Sequence, residues 1–138
     1  MTQLNPYLAF AGNCRAAMNF YKECLGGELI IQTVGESPMD QQMPGMTSNN
    51  VMHASLTKDS LILLASDMMG SEKAVQGNTI SLCLNCSSEE EINTFFKNLS
   101  AGGTVTQPLT EAFWGATFGM LTDKFGFNWM LNYMKKPQ

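Results

Sequence analysis

A helix-and-turn signature occurs twice in this chain, and no other feature constrains its fold as strongly. Ala17, Phe20, Tyr21, Lys22 and Cys24 recur 75 positions later as Ile92, Phe95, Phe96, Lys97 and Leu99. Gly26, Gly27 and Leu29 recur 76 positions later as Gly102, Gly103 and Val105. Each half reads strand, helix, Gly-Gly, then three strands. One half would cover its own sheet poorly, so the two are expected to share a core as an α+β domain of paired βαβββ modules. Module one spans about 4–67 and module two about 78–134.

The local signals support that division. Asn5 to Phe10 reads as a first strand, with Pro6 at an edge or strand start. Asn13 is the expected N-cap of a helix to Leu25, whose apolar stripe is Ala17, Phe20, Tyr21, Cys24 and Leu25. Gly26-Gly27 ends it as a C-cap. Leu29 to Val34 reads as strand, and Val51 to Thr57 with Leu61 to Ser66 as a hairpin across Lys58-Asp59. Thr79 to Asn85 reads as strand. Ser88 to Glu91 forms a capping box for a second helix with Ile92, Phe95, Phe96 and Leu99 inward. Thr104 to Leu109 is strand, and Trp114 to Tyr133 closes the chain as a hairpin turning at Asp123 to Gly126. In its last strand Phe127, Trp129, Leu131 and Tyr133 alternate with Asn128, Met130 and Asn132, giving a core face and an uncharged polar face. Residues 35–50, with Met39, Met43 and Met46, read as a long loop that serves as a lid over an apolar ligand or as a plain surface loop.

Composition narrows the function classes. The chain has 138 residues, 44% apolar and 14% charged, with net charge −4 from 12 acidic and 8 basic residues. Nucleic acid and anionic membrane surfaces both call for clustered lysine and arginine, so neither is an expected partner. The first residues show no basic region followed by an apolar run, and no stretch is long enough to span a bilayer; a cytoplasmic location is expected. In that compartment Cys14, Cys24, Cys83 and Cys86 are expected as reduced thiols. Cys83 and Cys86 match C-x-x-C, but Cys83 falls within a strand rather than at a helix start, and no second pair completes a zinc knuckle. With 11 Met and 8 Phe, the chain is expected to pair with itself as a homodimer to cover apolar surface.

Several ordered motifs resemble one family. Asn5-Pro-Tyr-Leu-Ala-Phe-Ala-Gly-Asn13, Phe20-Tyr-Lys22, Leu25-Gly-Gly-Glu28, His53-Ala-Ser-Leu56, Phe113-Trp-Gly115 and Thr122-Asp-Lys-Phe-Gly126 followed by Trp129 are similar to the PhnB-like branch of the vicinal oxygen chelate superfamily. That superfamily includes glyoxalase I, extradiol dioxygenases and bleomycin-resistance proteins. The resemblance covers nearly the whole chain. It implies a single glyoxalase-like domain whose modules form a curled mixed sheet with a central cleft, completed by pairing of modules or subunits.

The resemblance also implies where a divalent metal would be held. The family's inward strand positions fall here on Pro6, Thr79, Met130 and the stretch Ala65 to Asp67, where Asp67 alone could bind a cation. His53 is the sole histidine, so no metal and no other cofactor is expected. The branch also carries a demethylubiquinone methyltransferase label, yet the sequence has no Gly-rich strand-to-helix turn to cradle a nucleoside cofactor.

If the helices cover one sheet face, the other gathers His53, Ser55, Thr79, Ser81, Cys83, Asn128, Met130 and Asn132, with Trp114 near an edge. Hydrogen-bonding groups among apolar walls suit a small-molecule ligand. His53 is the candidate general base or, equally, a buried structural histidine. Trp114 is a stacking surface or a packed strand-end aromatic. Glu36, Asp40 and Glu111 are expected as solvated loop carboxylates. The reading is a small-molecule-binding protein or divergent enzyme; the alternatives are a metal-dependent lyase or dioxygenase using Asp67, His53 and a partner-chain donor, or a drug-sequestering protein.

Overall fold

A computed structural model describes residues 2–36, 49–67 and 75–135. The chain divides into two compact units, Met1–Val75 and Gln76–Gln138. The first holds β1 (Tyr7–Phe10), α1 (Cys14–Leu25), β2 (Glu28–Thr33), β3 (Val51–Lys58) and β4 (Leu61–Asp67). In the second are β5 (Leu82–Asn85), α2 (Glu89–Ser100), β6 (Thr104–Glu111), β7 (Ala116–Thr122) and β8 (Asn128–Met134). Their sheets run β1-β4-β3-β2 and β5-β8-β7-β6, neither closed on itself. In each, the short first strand lies parallel to the last and the remaining pairs are antiparallel. Both βαβββ repeats therefore have one topology. The region of the expected loop at 37–48, including Met39, Met43 and Met46, lies outside the described residues.

Each unit packs one sheet face against its own helix. In the first, Ala17, Met18, Tyr21, Cys24 and Leu25 of α1 are buried along with Leu8, Phe10, Ala54, Leu56, Leu63 and Ala65. In the second, Ile92, Phe96 and Leu99 of α2 are buried along with Leu121, Trp129 and Leu131. Phe20 and Phe95, expected inward, are half-buried at the stripe edges. Gly119 lies under α2, where an added Cβ would be 2.7 Å from the Phe96 ring.

The paired glycines do more than end helices. Gly26 caps α1 at φ +82, its N–H donating to the Lys22 carbonyl at 2.7 Å. Gly27 then starts the turn into β2 so close to β3 that an added Cβ would sit 2.5 Å from the Thr57 carbonyl oxygen. Gly103 meets the Thr122 carbonyl at the equivalent place in the second unit, and closer still. The hairpin lysines Lys58 and Lys124 lie against Gly26 and Gly102, and Lys58 Nζ donates to the Leu25 carbonyl at the α1 C-terminus (3.0 Å). Gly27→Ala and Gly103→Ala should each cost about 2–3 kcal/mol through this overlap, with left-handed strain added at Gly27. Urea melts that leave both variants at wild-type stability would contradict the close approach.

Two local expectations differ from the structure. Asn13 makes no side-chain cap bond; the buried Asp67 carboxylate instead accepts from the N–H groups of Gly12 and Cys14, both at 3.0 Å. A charged acceptor on β4 outcompetes the neutral amide for the start of α1. Thr79 to Ser81 lies ahead of β5 rather than within it, because β5 pairs with β8 only from Leu82↔Trp129 to Asn85↔Asn132. The capping box at α2 forms, with Glu91 N–H donating to Ser88 Oγ and Ser87 N–H to Glu91 Oε1, both 3.0 Å.

Candidate functional site

In each unit the sheet face away from the helix carries the candidate residues in part. On β8, Asn128, Met130 and Asn132 are half-buried and alternate with buried Trp129 and Leu131. The β7–β8 register runs unbroken from Ala116↔Met134 to Thr122↔Asn128, so no bulge inverts that alternation. Register then builds two rows across the open face. Cys83, Met130 and Met120 form one, and Asn85, Asn132 and Phe118 the other.

The second row carries chemistry. Asn132 Nδ2 donates to Asn85 Oδ1 at 3.4 Å. Phe118, beside Asn132, meets the Trp114 ring edge-on at a centroid distance of 6.0 Å. Trp114 occupies the turn between β6 and β7, which the Ala112 N–H closes onto the Ala116 carbonyl at 2.7 Å. It is 43% exposed, and its neighbour Phe113 is 98% exposed. The result is a carboxamide pair beside two accessible aromatic rings, with thioethers on the adjoining row. Such a surface can stack a planar ring and hydrogen-bond a carbonyl or N–H edge.

Other candidate residues fall elsewhere. Asn128 is held by Thr122 Oγ1 at 2.8 Å and lies 3.4 Å from the Gly77 carbonyl, so its amide is engaged within the unit. Thr79 is exposed and Ser81 half-buried, both before β5. His53 and Ser55 belong to the first unit, on the β3 face opposite buried Ala54 and Leu56. There Tyr7 Oη lies 3.4 Å from His53 Nδ1. Glu111 ends β6 and pairs with Lys135 on the surface, while Asp40 lies outside the described residues.

Asn85, Phe118 and Tyr7 were missed from sequence, although strand alternation carried a signal for each. Tyr7 precedes inward Leu8, Asn85 follows inward Leu84, and Phe118 precedes inward Gly119.

Among the described residues, metal donors do not gather on either face. Asp67 is 3% exposed, and its second oxygen accepts from Val51 N–H at 2.8 Å and Asn50 Nδ2 at 3.3 Å. Both of its oxygens thus serve the backbone. Among the described residues no three of His, Cys, Asp and Glu come together as a cation site. The described donor set does not fit the divalent metal that the resemblance implies.

The thiols are equally unsuited to redox work. Burial, with the Asp67 charge beside it, pushes Cys14 up to about 12. Burial, then the charges of Glu91 and Cys83, pushes Cys86 up to about 12, and burial raises Cys83 as well. Reactivity follows the thiolate, so iodoacetamide at pH 8 should label at most the exposed Cys83 of the folded protein. All four cysteines should label after unfolding in guanidinium. Rapid native labelling of Cys83 and Cys86 together, read by mass spectrometry, would restore a redox pair.

The family model described as 3-demethylubiquinone-9 3-methyltransferase matches residues 2–132. The chain belongs to that PhnB-like family. It is 37% identical over 142 positions to Protein YjdN of Escherichia coli K12, with 96% of each chain covered. The crystal structure of protein PA1353 from Pseudomonas aeruginosa superposes at TM-score 0.83 with 39% identity, covering 97% of this chain and 98% of that one. The PhnB protein of Bacillus cereus gives 0.77 and 29% identity over 96% and 99% of the two chains. A glyoxylase/bleomycin resistance protein/dioxygenase domain from Frankia sp. EAN1pec, 12% identical, shares the fold at TM-score 0.70 over 100% of this chain and 96% of that one.

The family's description implies a methyl donor carrying a nucleoside and charged groups. Helix N-termini are ready seats for the anionic groups among these. In this PhnB-like chain the Asp67 carboxylate takes the α1 start, and Ser88 and Glu91 take the α2 start. The residues present do not fit the donor at either position. Among the described residues no helix is long and apolar enough to cross a membrane.

Proposed function

We propose that this chain is a homodimeric, metal-independent binding protein for a neutral, planar small molecule. The ligand rests on the open face of the second sheet, against Trp114 and Phe118, with its polar edge on Asn132 and Asn85. The single observation that carries this reading is the row joining a carboxamide pair to accessible aromatic rings. No Lys, Arg, Asp or Glu lies in either row across that face, which favours an uncharged ligand because nothing there would offset a desolvated charge. Leu4, Val75, Ile80 and Phe113 are each more than three-quarters exposed, and burial of such side chains favours self-association.

Native mass spectrometry of the purified protein tests both parts. A dimer mass, with a neutral organic adduct lost in Trp114→Ala, is the expected result. A monomer at all dilutions would refute the assembly, and a stoichiometric Zn, Ni, Mn or Fe adduct would refute metal independence. Asn132→Ala should lower stability by less than about 1.5 kcal/mol, near the net worth of one hydrogen bond, while weakening ligand retention.

A further inference from the structure

The first sheet's open face carries a second polar constellation that binding at Trp114 does not use. Tyr7 lies on β1, opposite Leu64 of β4, which is opposite Ser55 of β3. From there its ring crosses β4 to reach His53, with centroids 5.9 Å apart and planes tilted by 40°. Tyr7 Oη comes within 3.4 Å of His53 Nδ1. The phenol is 52% exposed and the imidazole half-buried.

We propose that Tyr7 and His53 form a proton-accepting pair for a neutral small molecule bearing a weakly acidic O–H or N–H. Tyr7 is the positioning residue: its oxygen accepts from Nδ1–H and so leaves Nε2 with the lone pair. The ligand's proton moves to Nε2, the ligand becomes its conjugate anion, and His53 becomes imidazolium with Nδ1–H still on Tyr7. No other bond breaks, and nothing is oxidised.

The surroundings set the ligand class. Ala9, Ile30, Gln32, Ser55, Ile62, Leu64 and Ser66 occupy the neighbouring positions of this face. Among the described residues at the strand positions of this face, Tyr7 is the titratable group beside His53, and Glu28, opposite Thr57 at the far end of β2, is the charged one. Among the described residues no lysine or arginine lies at the strand positions of this face, so a preformed anion has no counter-charge. A neutral acid that ionises only beside the imidazole meets that condition.

His53 is the sole histidine, so its ring resonances are unambiguous. Long-range 1H–15N NMR of the full-length protein should show the Nδ1–H tautomer enriched about fivefold over Tyr7→Phe, the ratio that one ordinary hydrogen bond supports. With 4-nitrophenol as probe, the wild type should increase the phenolate absorbance at fixed pH. Tyr7→Phe should reduce that increase several-fold, and His53→Gln should abolish it. An unchanged tautomer ratio in Tyr7→Phe, equal ionisation in His53→Gln, or no absorbance change up to millimolar probe would each overturn the pair. These readouts report on His53 alone, so they stand or fall separately from ligand retention on the second sheet.

Discussion

Trp129→Ala should lose about 3–5 kcal/mol of stability, the usual cost of truncating a large buried aromatic. Trp129 is 3% exposed, on the face of β8 that packs against α2. Its Nε1–H donates to Asp123 Oδ2 at 2.8 Å. The other Asp123 oxygen accepts from the N–H groups of Phe125 and Phe127 at 2.8 and 3.1 Å, so the indole and the β7–β8 turn share one buried carboxylate. Truncation therefore opens a cavity and removes a charge-assisted hydrogen bond together, and the bond's loss adds to the cavity term. Trp129→Phe, which keeps most of the volume, should fall between wild type and Ala. A silent Trp129→Ala in a urea melt would mean that the face of β8 is inverted.

A comparable loss, about 3–6 kcal/mol, is expected for Asp67→Ala. That side chain holds the start of α1 through Gly12 and Cys14 and the start of β3 through Val51. Its removal takes the acceptor from three backbone N–H groups at once, at about 1–3 kcal/mol for each one buried. Asp67→Asn should recover only part, because its NH2 must face a backbone donor. If Asp67 were instead a metal ligand, Asp67→Ala would be mild without metal and would abolish metal-dependent stabilisation. Melting wild type and variant with and without EDTA separates the two.

These carboxylates mark the limit of what periodicity can read. Helices, Gly-Gly breaks and hairpins announce themselves locally, and the β8 alternation held from Asn128 to Asn132 because its pairing has no bulge, whereas Phe127 and Tyr133, expected in the core, are only half-buried at the ends. Asp67 and Asp123 look in sequence like any solvated loop or strand-end acid. Only tertiary packing shows that each is buried with its oxygens filled by backbone and indole donors. Asn13 misleads for the same reason, since the competing cap comes from a strand more than fifty residues away in the chain. The role of Gly27 and Gly103 was legible only in part: the repeat exposed them, but their contact with the next strand's carbonyls requires the register. Candidate site residues on β8 were legible by parity. Asn85 and Phe118, which complete the row, needed cross-strand pairing.

A neutral planar ligand is expected to rest beside Trp114 while Trp129 stays in the core. The chain contains two tryptophans, so 19F NMR of 5-fluorotryptophan-labelled protein reads both at once, with Trp114→Phe giving the assignment. Titration with 2-naphthamide should shift the Trp114 resonance and leave Trp129 unmoved, and the response should weaken at least several-fold in Asn132→Ala. The charged analogue 2-naphthoate should act much more weakly. A Trp114 resonance indifferent to the amide, or equally responsive to the carboxylate, would contradict the account.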